Sequence, residues 1–383
     1  MIIFEKDNLD RSIIEIVFKN RGSIFAKEGV AFFLAHIFNT KGSLNKKERF
    51  YSQIEEHAIE FSANVNKEFF TLSLKFLNDK EKKALNYFKE IIFNPNITKE
   101  SFEKSKKEII AKIQNKKNDK DYIASTNLYK SIFKNTPLMY PVIGEKVEHI
   151  TLEDINNFYN SLFNAKFFVI NGGKEIDLND IMKNFTPTNE NTPFFKPNIS
   201  HHQENKEVEQ SYIHFASEFN VDYKNELHLA KIATFILGSG GFGSRMMEEI
   251  RVKRGYAYSA YATNSFRKTH KLLSGYLQTK LENTDDAIEI VKKLIADIQK
   301  NGITIDELNQ AKQFLIGSEP LRNETLNQRL LRKFNEKYLN LEENYYEKEL
   351  QLIKDTKLDE VNEFLNKHKE INDIAFSIVT KKG

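Results

Sequence analysis

A single histidine in an apolar helical segment is the first residue of this chain that could do chemistry. His36 stands in GVAFFLAHIF, residues 29–38, with Phe32 four positions and Ala35 one position before it. One imidazole cannot hold a zinc ion against water, and neither Phe nor Ala can ligate a metal or accept a proton. A lone histidine in such a segment is typically a core or interface residue with one satisfied ring nitrogen. We therefore predict no metal site in this chain.

A second candidate is an arginine–tyrosine pair near the end of LGSGGFGSRMMEEIRVKRGYAYS, residues 237–259. Arg251 and Tyr258 carry a guanidinium and a phenol, which can hydrogen-bond peptide carbonyls and stabilise an oxyanion. Gly255 is expected to end a helix between them, so that both side chains converge. The alternative is a surface ion pair at Arg251 and a sheet-facing ring at Tyr258.

Glycines in Gly238–Ser244 raise a competing interpretation, a loop that holds phosphate. The segment has no G-x-x-x-x-G-K-[ST] lysine, and the residues before it are predicted to be helical rather than a strand. We therefore do not expect nucleotide binding.

The chain contains an internal repeat, which defines the elements that position these residues. ITKESFEKSKKEII at 97–110 resembles ITIDELNQAKQFLI at 303–316, and LEDINNFYN at 152–160 resembles LDEVNEFLN at 358–366. Both pairs are offset by 206 residues (98 to 304, 152 to 358). Two matches in one register predict a duplicated domain.

Each repeat has the same predicted order of elements: a strand, a long apolar helix, two strands, amphipathic helices and a last strand. Strand runs mixed with helix runs indicate an α+β fold, with an antiparallel-rich sheet and helices on one face. We place the domains at 1–187 and 207–383. The intervening linker, 188–206, is rich in Pro, Asn, Thr and Lys, and its His201 and His202 are expected to be solvated.

Composition excludes several functional classes. Lys+Arg 57 against Asp+Glu 54 gives a charge of +3, too balanced and too scattered to indicate nucleic-acid binding. There is no cysteine, which excludes disulfides and thiolate chemistry, and no run of apolar residues is long enough to span a membrane. The start, MIIFEKD, does not read as a signal peptide, so we expect a cytoplasmic protein; a mature periplasmic form would look the same.

Taken together, residues 29–38, the EFSAN segment at 60–64 and residues 237–259 resemble the M16 (pitrilysin-type) zinc peptidases, in the two-domain M16B branch. That resemblance implies two domains of the LuxS/metallohydrolase-like fold. In this family an H-x-x-E-H motif supplies two zinc ligands and the general base. Phe32 and Ala35 stand where the first His and the Glu would be, and only His36 remains.

The resemblance also locates the family's third zinc ligand, a glutamate, on the helix at 99–116. The aligned position is Lys112 or Ile113, neither of which is a suitable ligand, and Glu108 lies a turn too early. Phe32 and Ala35 are expected to fill the space that the metal site occupies in active relatives.

In the family, the Arg and Tyr of R-x6-Y reach a zinc site carried by another half-molecule or subunit, and Arg251 and Tyr258 match them. The resemblance implies a non-catalytic subunit, inactive alone, that binds peptide or unfolded protein and completes the zinc site of a homologous partner. Zinc is expected in that partner and not in this chain. The alternative is a non-enzymatic homodimer that binds peptides, or a structural core-type subunit.

Overall fold

The computed structural model describes residues 1–46 and 49–381, and the chain divides into two compact units. Unit 1 contains Met1–Lys116, Tyr140–Thr192 and Glu324–Phe334. Unit 2 contains Lys117–Met139, Pro193–Asn323 and the described residues from Asn335 onward. Each unit thus takes a segment from the other half of the sequence.

The first half of the chain supplies five strands and seven α-helices within the described residues. In order they are β1 (Ile2–Lys6), β2 (Arg11–Lys19), α1 (Val30–Lys41), α2 (Phe50–Glu55), β3 (Glu60–Val65), β4 (Phe69–Leu77), α3 (Glu81–Phe93), α4 (Lys99–Lys116), α5 (Lys120–Ile132), α6 (Leu152–Leu162), β5 (Phe167–Gly173) and α7 (Asn179–Met182).

The second half repeats this order with a different helix pattern. In order its elements are β6 (His202–Asn205), β7 (Gln210–Glu218), α8 (Leu227–Thr234), β8 (Ala257–Phe266), β9 (Lys271–Lys280), α9 (Thr284–Asn301), α10 (Ile305–Gly317), α11 (Glu319–Arg322), α12 (Leu326–Leu339), α13 (Tyr345–Asp355), α14 (Leu358–Lys367) and β10 (Ala375–Thr380). Two short π-helical segments, Phe235–Ser239 and Met247–Val252, flank the glycine-rich stretch.

Over the described ranges, each unit has one five-stranded mixed sheet. The strand orders are β1-β5-β2-β4-β3 and β6-β10-β7-β9-β8, which are the same order in the two repeats. Only the first pair in each sheet is parallel. The predicted α+β class with antiparallel-rich sheets is therefore confirmed, and the matching topology accords with the repeat.

One face of each sheet covers a large apolar core beneath the helices of its own repeat. In unit 1, Ile14, Ile16 and Phe18 alternate along β2 with residues of the opposite face, and they pack against Phe33 and Phe38 of α1. This two-residue alternation is what a sheet with two different faces requires. The prediction of helices on one face is correct for this layer.

The other face of each sheet is covered by a helix that the sequence assigned to the other repeat. Helix α5 packs on β7 and β10 of unit 2, and the start of α12, Leu326–Phe334, belongs to unit 1. The prediction of helices on one face only missed this second layer, because an apolar helix face does not reveal which sheet it covers. The contiguous boundaries 1–187 and 207–383 describe the sequence repeat, and the compact units depart from them at these segments.

The predicted linker 188–206 contains one regular element that the composition did not indicate. His202 begins β6, which pairs in parallel with β10, and His202 is exposed as expected. His201 is also exposed, but its Nδ1 accepts a hydrogen bond from the Phe376 amide at 3.3 Å. Within the described residues, no helix is long and apolar enough to cross a bilayer.

Candidate functional site

Helix α1 places the former zinc-motif positions in the core of unit 1. The helix starts after Gly29, whose φ of 78° is in the left-handed region, and it buries both Ala35 and His36. Phe32 is half-buried and packs against the apolar core. Phe32 and Ala35 thus contribute packing at the two positions where a ligand and a base would be needed.

Helix α4 brings two charged side chains to His36, and the end of α1 adds a third to the group. His36 Nε2 lies 2.7 Å from Glu108 Oε2, and the Lys112 ammonium lies 3.2 Å from His36 Nδ1. Lys41 at the end of α1 donates to Glu108 Oε1 at 2.9 Å. An ammonium can only donate, so Nδ1 is the acceptor and the Nε2 proton goes to Glu108. His36 is therefore a neutral imidazole with both nitrogens engaged.

The electrostatics of this group agree with that assignment. Burial lowers the pKa of His36, and the nearby Lys112 adds to the effect more than Lys41 does. Burial alone would raise the pKa of Glu108, but hydrogen bonds from Lys41 and His36 outweigh it and lower that pKa. At neutral pH the group holds two ammonium ions, one carboxylate and one neutral ring.

The two residues that the resemblance aligns with a third zinc ligand, Lys112 and Ile113, have different surroundings. Lys112 contacts His36, whereas Ile113 is buried in the apolar core. Glu108, which the alignment placed a turn too early, contacts His36 directly. Glu108 and Lys112 are four residues apart on α4, so they share the helix face that meets His36. That spacing of Glu108 and Lys112 was the sequence signal that could have revealed the network.

This group does not fit a zinc ion. A catalytic zinc needs three protein ligands, and here one imidazole and one carboxylate are already bonded to lysines. The two ammonium groups would also repel a divalent cation. Across residues 1–46 and 49–381, no group of three His, Cys, Asp or Glu side chains lies at metal-binding spacing.

We expect the purified chain to retain less than about 0.1 zinc per molecule after brief chelation and desalting, since it offers fewer than three ligands. Adding equimolar zinc should leave the melting temperature unchanged, because a metal without a folded-state site cannot stabilise the fold. Metal analysis and thermal unfolding measure the two quantities. A content near one zinc per chain would contradict this account of His36.

The free edge of the unit 1 sheet is partly occupied by a side chain. Strand β3 is the last strand of the sheet, and Asn39 of α1 bonds its outward-facing peptide groups at Ala63. The Asn39 Nδ2 donates to the Ala63 carbonyl at 2.8 Å, and its Oδ1 accepts from the Ala63 amide at 2.7 Å. An extended peptide that adds to β3 would have to displace this amide at Ala63.

The second candidate group lies in unit 2, where Arg251 sits in the second π-helical segment. Gly255 adopts a φ of +65° and donates its amide to the Arg251 carbonyl at 2.9 Å, which ends the helical run as the sequence predicts. Such π-helical turns occur often at functional sites. The chain then enters β8 with Tyr258 as its second residue.

Tyr258 faces solvent next to the buried Ala257, within a β-bulge of β8. Ala257 pairs with Thr279 and Ala260 pairs with Leu277, so three steps on β8 match two on β9. The extra residue turns the strand locally and redirects the side chains beside it. Tyr258 is 83% exposed, which is unusual for a large ring on a strand.

Arg251 and Tyr258 converge, and a third residue joins them. The guanidinium carbon of Arg251 lies 4.6 Å from the centre of the Tyr258 ring and 4.7 Å from that of Phe242. Phe242, in the glycine-rich stretch, is 72% exposed. Sequence reasoning did not identify Phe242, although an aromatic ring in the same motif as an arginine is a recognisable stacking partner.

Among the described residues, no carboxylate lies within 4 Å of the Arg251 guanidinium, whereas its neighbours are paired. Lys253 and Arg254 both bond the Glu249 carboxylate, at 2.5 and 2.6 Å. The alternative of a surface ion pair therefore describes Lys253 and Arg254 rather than Arg251. The donors of Arg251 remain available to a carbonyl or carboxylate ligand.

Close packing accounts for the first glycine of the glycine-rich stretch. A Cβ at Gly238 would lie 2.3 Å from the Ala262 amide nitrogen, so glycine lets this segment approach β8 closely. Arg245 then anchors the following turn through Glu307 at 2.7 Å, Asp297 at 2.8 Å and the Gly302 carbonyl at 2.9 Å. This anchoring holds the turn between Phe242 and Arg251 against α9 and α10.

Comparison with known proteins shows which family the sequence resembles. The sequence pattern of Insulinase (Peptidase family M16) matches residues 2–146, and that of the Peptidase M16 inactive domain matches residues 149–315. The chain is similar to the non-peptidase homolog YmxG of Helicobacter pylori, with 34% identity over 100% of this chain and 92% of the relative. It is also 24% identical to an uncharacterized zinc protease, YmxG, of Bacillus subtilis, over 86% of this chain and 84% of that protein.

Solved structures show the same fold. A peptidase M16 inactive domain from Pseudomonas fluorescens superposes with a TM-score of 0.87 at 21% identity, covering 100% of this chain and 95% of the other.

Proposed function

The chain belongs to the M16 peptidase family, and we propose that it is the non-catalytic subunit of a heterodimeric M16B zinc peptidase. In this proposal a homologous subunit with an intact H-x-x-E-H motif carries zinc and performs the hydrolysis. This chain binds the peptide substrate and presents Arg251 and Tyr258 to the partner's active site.

The contrast between the two units is the observation that supports the proposal. In unit 1 the former ligand positions are occupied by packing residues and by a salt-bridge network at His36 that uses its own donors and acceptors internally. In unit 2 a half-buried guanidinium lies against two exposed rings, and none of its donors meets a carboxylate in the described part of the chain. Large exposed aromatic rings are typical of surfaces that bind a partner or ligand.

The chemistry assigned to this chain is binding and charge stabilisation. Attack on a peptide carbonyl places negative charge on its oxygen, and donors aimed at that position stabilise the transition state. The Arg251 guanidinium and the Tyr258 hydroxyl are such donors, and stacking on Phe242 limits the freedom of the arginine before substrate arrives.

A non-enzymatic role is the second candidate, either as a peptide-binding homodimer or as a structural core-type subunit. It is favoured by the name of the 34% identical relative, a non-peptidase homolog. The same group, with the half-buried Arg251 against the exposed rings of Phe242 and Tyr258, would then contact a partner protein without any hydrolysis.

To separate these functions, we expect no cleavage of an unstructured fluorogenic peptide by the chain alone. Cleavage should arise when the chain is mixed with a homologous subunit of the same genome that carries an intact H-x-x-E-H motif. That activity should exceed the activity of the homologous subunit alone and disappear with chelator, because the zinc and the donors lie on different chains.

The matched control is the same mixture with the zinc-motif glutamate of the partner replaced by Gln. Chelator-sensitive cleavage by this chain alone would refute the non-catalytic assignment. Stable association without any gain in cleavage would favour the non-enzymatic role.

A further inference from the structure

A cavity lies on the face of the unit 1 sheet that α12 covers. It is half-open, has a volume of 320 Å³, and is bounded by strands β2, β4 and β5 and by the start of α12. Its lining is mainly apolar. The polar side chains in it are those of Glu15, Asn66, Thr71 and Asn327. This volume is at the lower end of ligand pockets, which span roughly 300–1,000 Å³.

Glu15 is the one carboxylate of the lining, and it lacks a cationic partner among the described residues. Its Oε1 accepts a hydrogen bond from the Ser73 hydroxyl at 3.3 Å. Burial raises the pKa of Glu15, and Ser73 and Lys75 oppose this shift without cancelling it. Lys75 itself points toward Glu60 at the outer strand, with 3.7 Å between ammonium and carboxylate.

The other carboxylates beneath α12 are already paired. Arg329 donates to Glu5 at 2.9 Å and to Asp7 at 2.6 Å, and Lys333 lies 2.5 Å from Glu5. These ion pairs hold one flank of α12 on β1. The helix is therefore anchored beside the cavity, while the carboxylate inside it is left without a cation.

At the equivalent position of unit 2, the polar residue of the strand has a partner within the protein. The fifth residue of β2 is Glu15 and the fifth residue of β7 is His214. The second residue of the covering helix is Asn327 in α12 and Asp121 in α5. In unit 2, His214 Nε2 lies 2.8 Å from the Asp121 carboxylate, so the polar group is paired within the protein.

The cross-strand neighbour of this residue also differs between the repeats. Glu15 pairs across the sheet with Ser73, whereas His214 pairs with Tyr276. The Tyr276 ring lies 4.8 Å from the His214 ring and fills that face of unit 2. Serine at the matching position of unit 1 is smaller than tyrosine, and the helix residue on this side, Asn327, is neutral.

We propose that this cavity binds a small aliphatic amine in its protonated form, with Glu15 as the counter-ion. The ammonium lies beside the Glu15 carboxylate, and the alkyl chain lies against Val17, Leu330 and Leu331. Such a ligand combines a charge-assisted hydrogen bond with burial of apolar surface, which are the two features of the lining. This site goes beyond the proposed function and does not depend on it.

Calorimetric titration of the full chain with n-pentylammonium tests the proposal, with n-pentanol as the neutral probe of the same length. We expect pentylammonium to bind with a dissociation constant in the millimolar range, and pentanol to bind at least about tenfold more weakly, since a hydrogen bond to a charged group contributes that much. Equal affinity for the two probes, or no binding of either up to about 50 mM, would overturn it.

Three variants define the site. E15Q should reduce pentylammonium affinity to that of pentanol, and N327K should abolish amine binding by supplying an internal cation. The matched control is E153Q, which makes the same chemical change at an exposed carboxylate on α6 and should leave both affinities unchanged. Undiminished amine binding in both E15Q and N327K would place the amine elsewhere and refute the proposal.

Discussion

Replacing Arg251 with Ala is expected to lower peptide cleavage per assembled heterodimer by about 100-fold, and Tyr258→Phe should have a similar effect, because each removes one donor to the developing oxyanion. Tyr258→Phe is the sharper test. It removes one hydroxyl and leaves the ring that stacks 4.6 Å from the Arg251 guanidinium. The two side chains act on the same charge, so the double variant should lose less than the product of the single losses. Cleavage rate, dimer content and melting temperature are measured on each variant.

Matched controls lie beside both residues. Tyr261→Phe makes the same chemical change on the same strand, at a side chain that is 44% exposed, and Lys253→Ala removes a cation that Glu249 already binds. Both should leave turnover within about twofold, as surface changes away from a reacting group do. A lower melting temperature or weaker dimer with unchanged turnover would show that Arg251 and Tyr258 are structural. Unaltered cleavage in both variants would remove the reason to regard this chain as part of an enzyme.

Restoring a zinc site is the second prediction with a large effect. The double variant Phe32→His with Ala35→Glu should still bind zinc poorly, because Lys112 leaves a cation at the third ligand position. Adding Lys112→Glu should raise zinc affinity by at least about 100-fold, since it removes an opposing charge and supplies the missing carboxylate. Zinc content after dialysis and calorimetric titration measure the change.

The control for this series is Lys107→Glu in place of Lys112→Glu. It makes the same charge change on the exposed face of α4 and should leave zinc binding at the level of the double variant. Stoichiometric zinc in the double variant itself would show that Glu108, 2.7 Å from His36, serves as the third ligand. In that case the placement at Lys112 is wrong.

The sequence predicted most of the regular structure because periodicity and the internal repeat are local signals. Helix α4 spans the predicted residues, Lys99–Lys116, and the two sheets have the same strand order, as the repeat predicts. The convergence of Arg251 and Tyr258 also followed from local chemistry, namely a glycine that ends a helix.

What the sequence could not supply depends on contacts between distant segments. The choice between Lys112 and Ile113 needed the relative rotation of α1 and α4, and so did the contact of Glu108 with His36. The strand at His202–Asn205 is short and polar, so only its pairing with β10 defines it. The cavity beside Glu15 depends on which helix covers that sheet face, and no periodicity encodes that choice.

The covering of each sheet by a helix from the other repeat has a consequence for protein synthesis. Unit 1 needs Glu324–Phe334, which a ribosome makes only after most of the chain is complete. Domains otherwise tend to fold in order of synthesis, the N-terminal one first. One apolar face of the first sheet therefore stays uncovered while the second repeat is translated. A nonsense codon anywhere before residue 324 would deprive the N-terminal unit of its covering helix, although every strand of its sheet had been made.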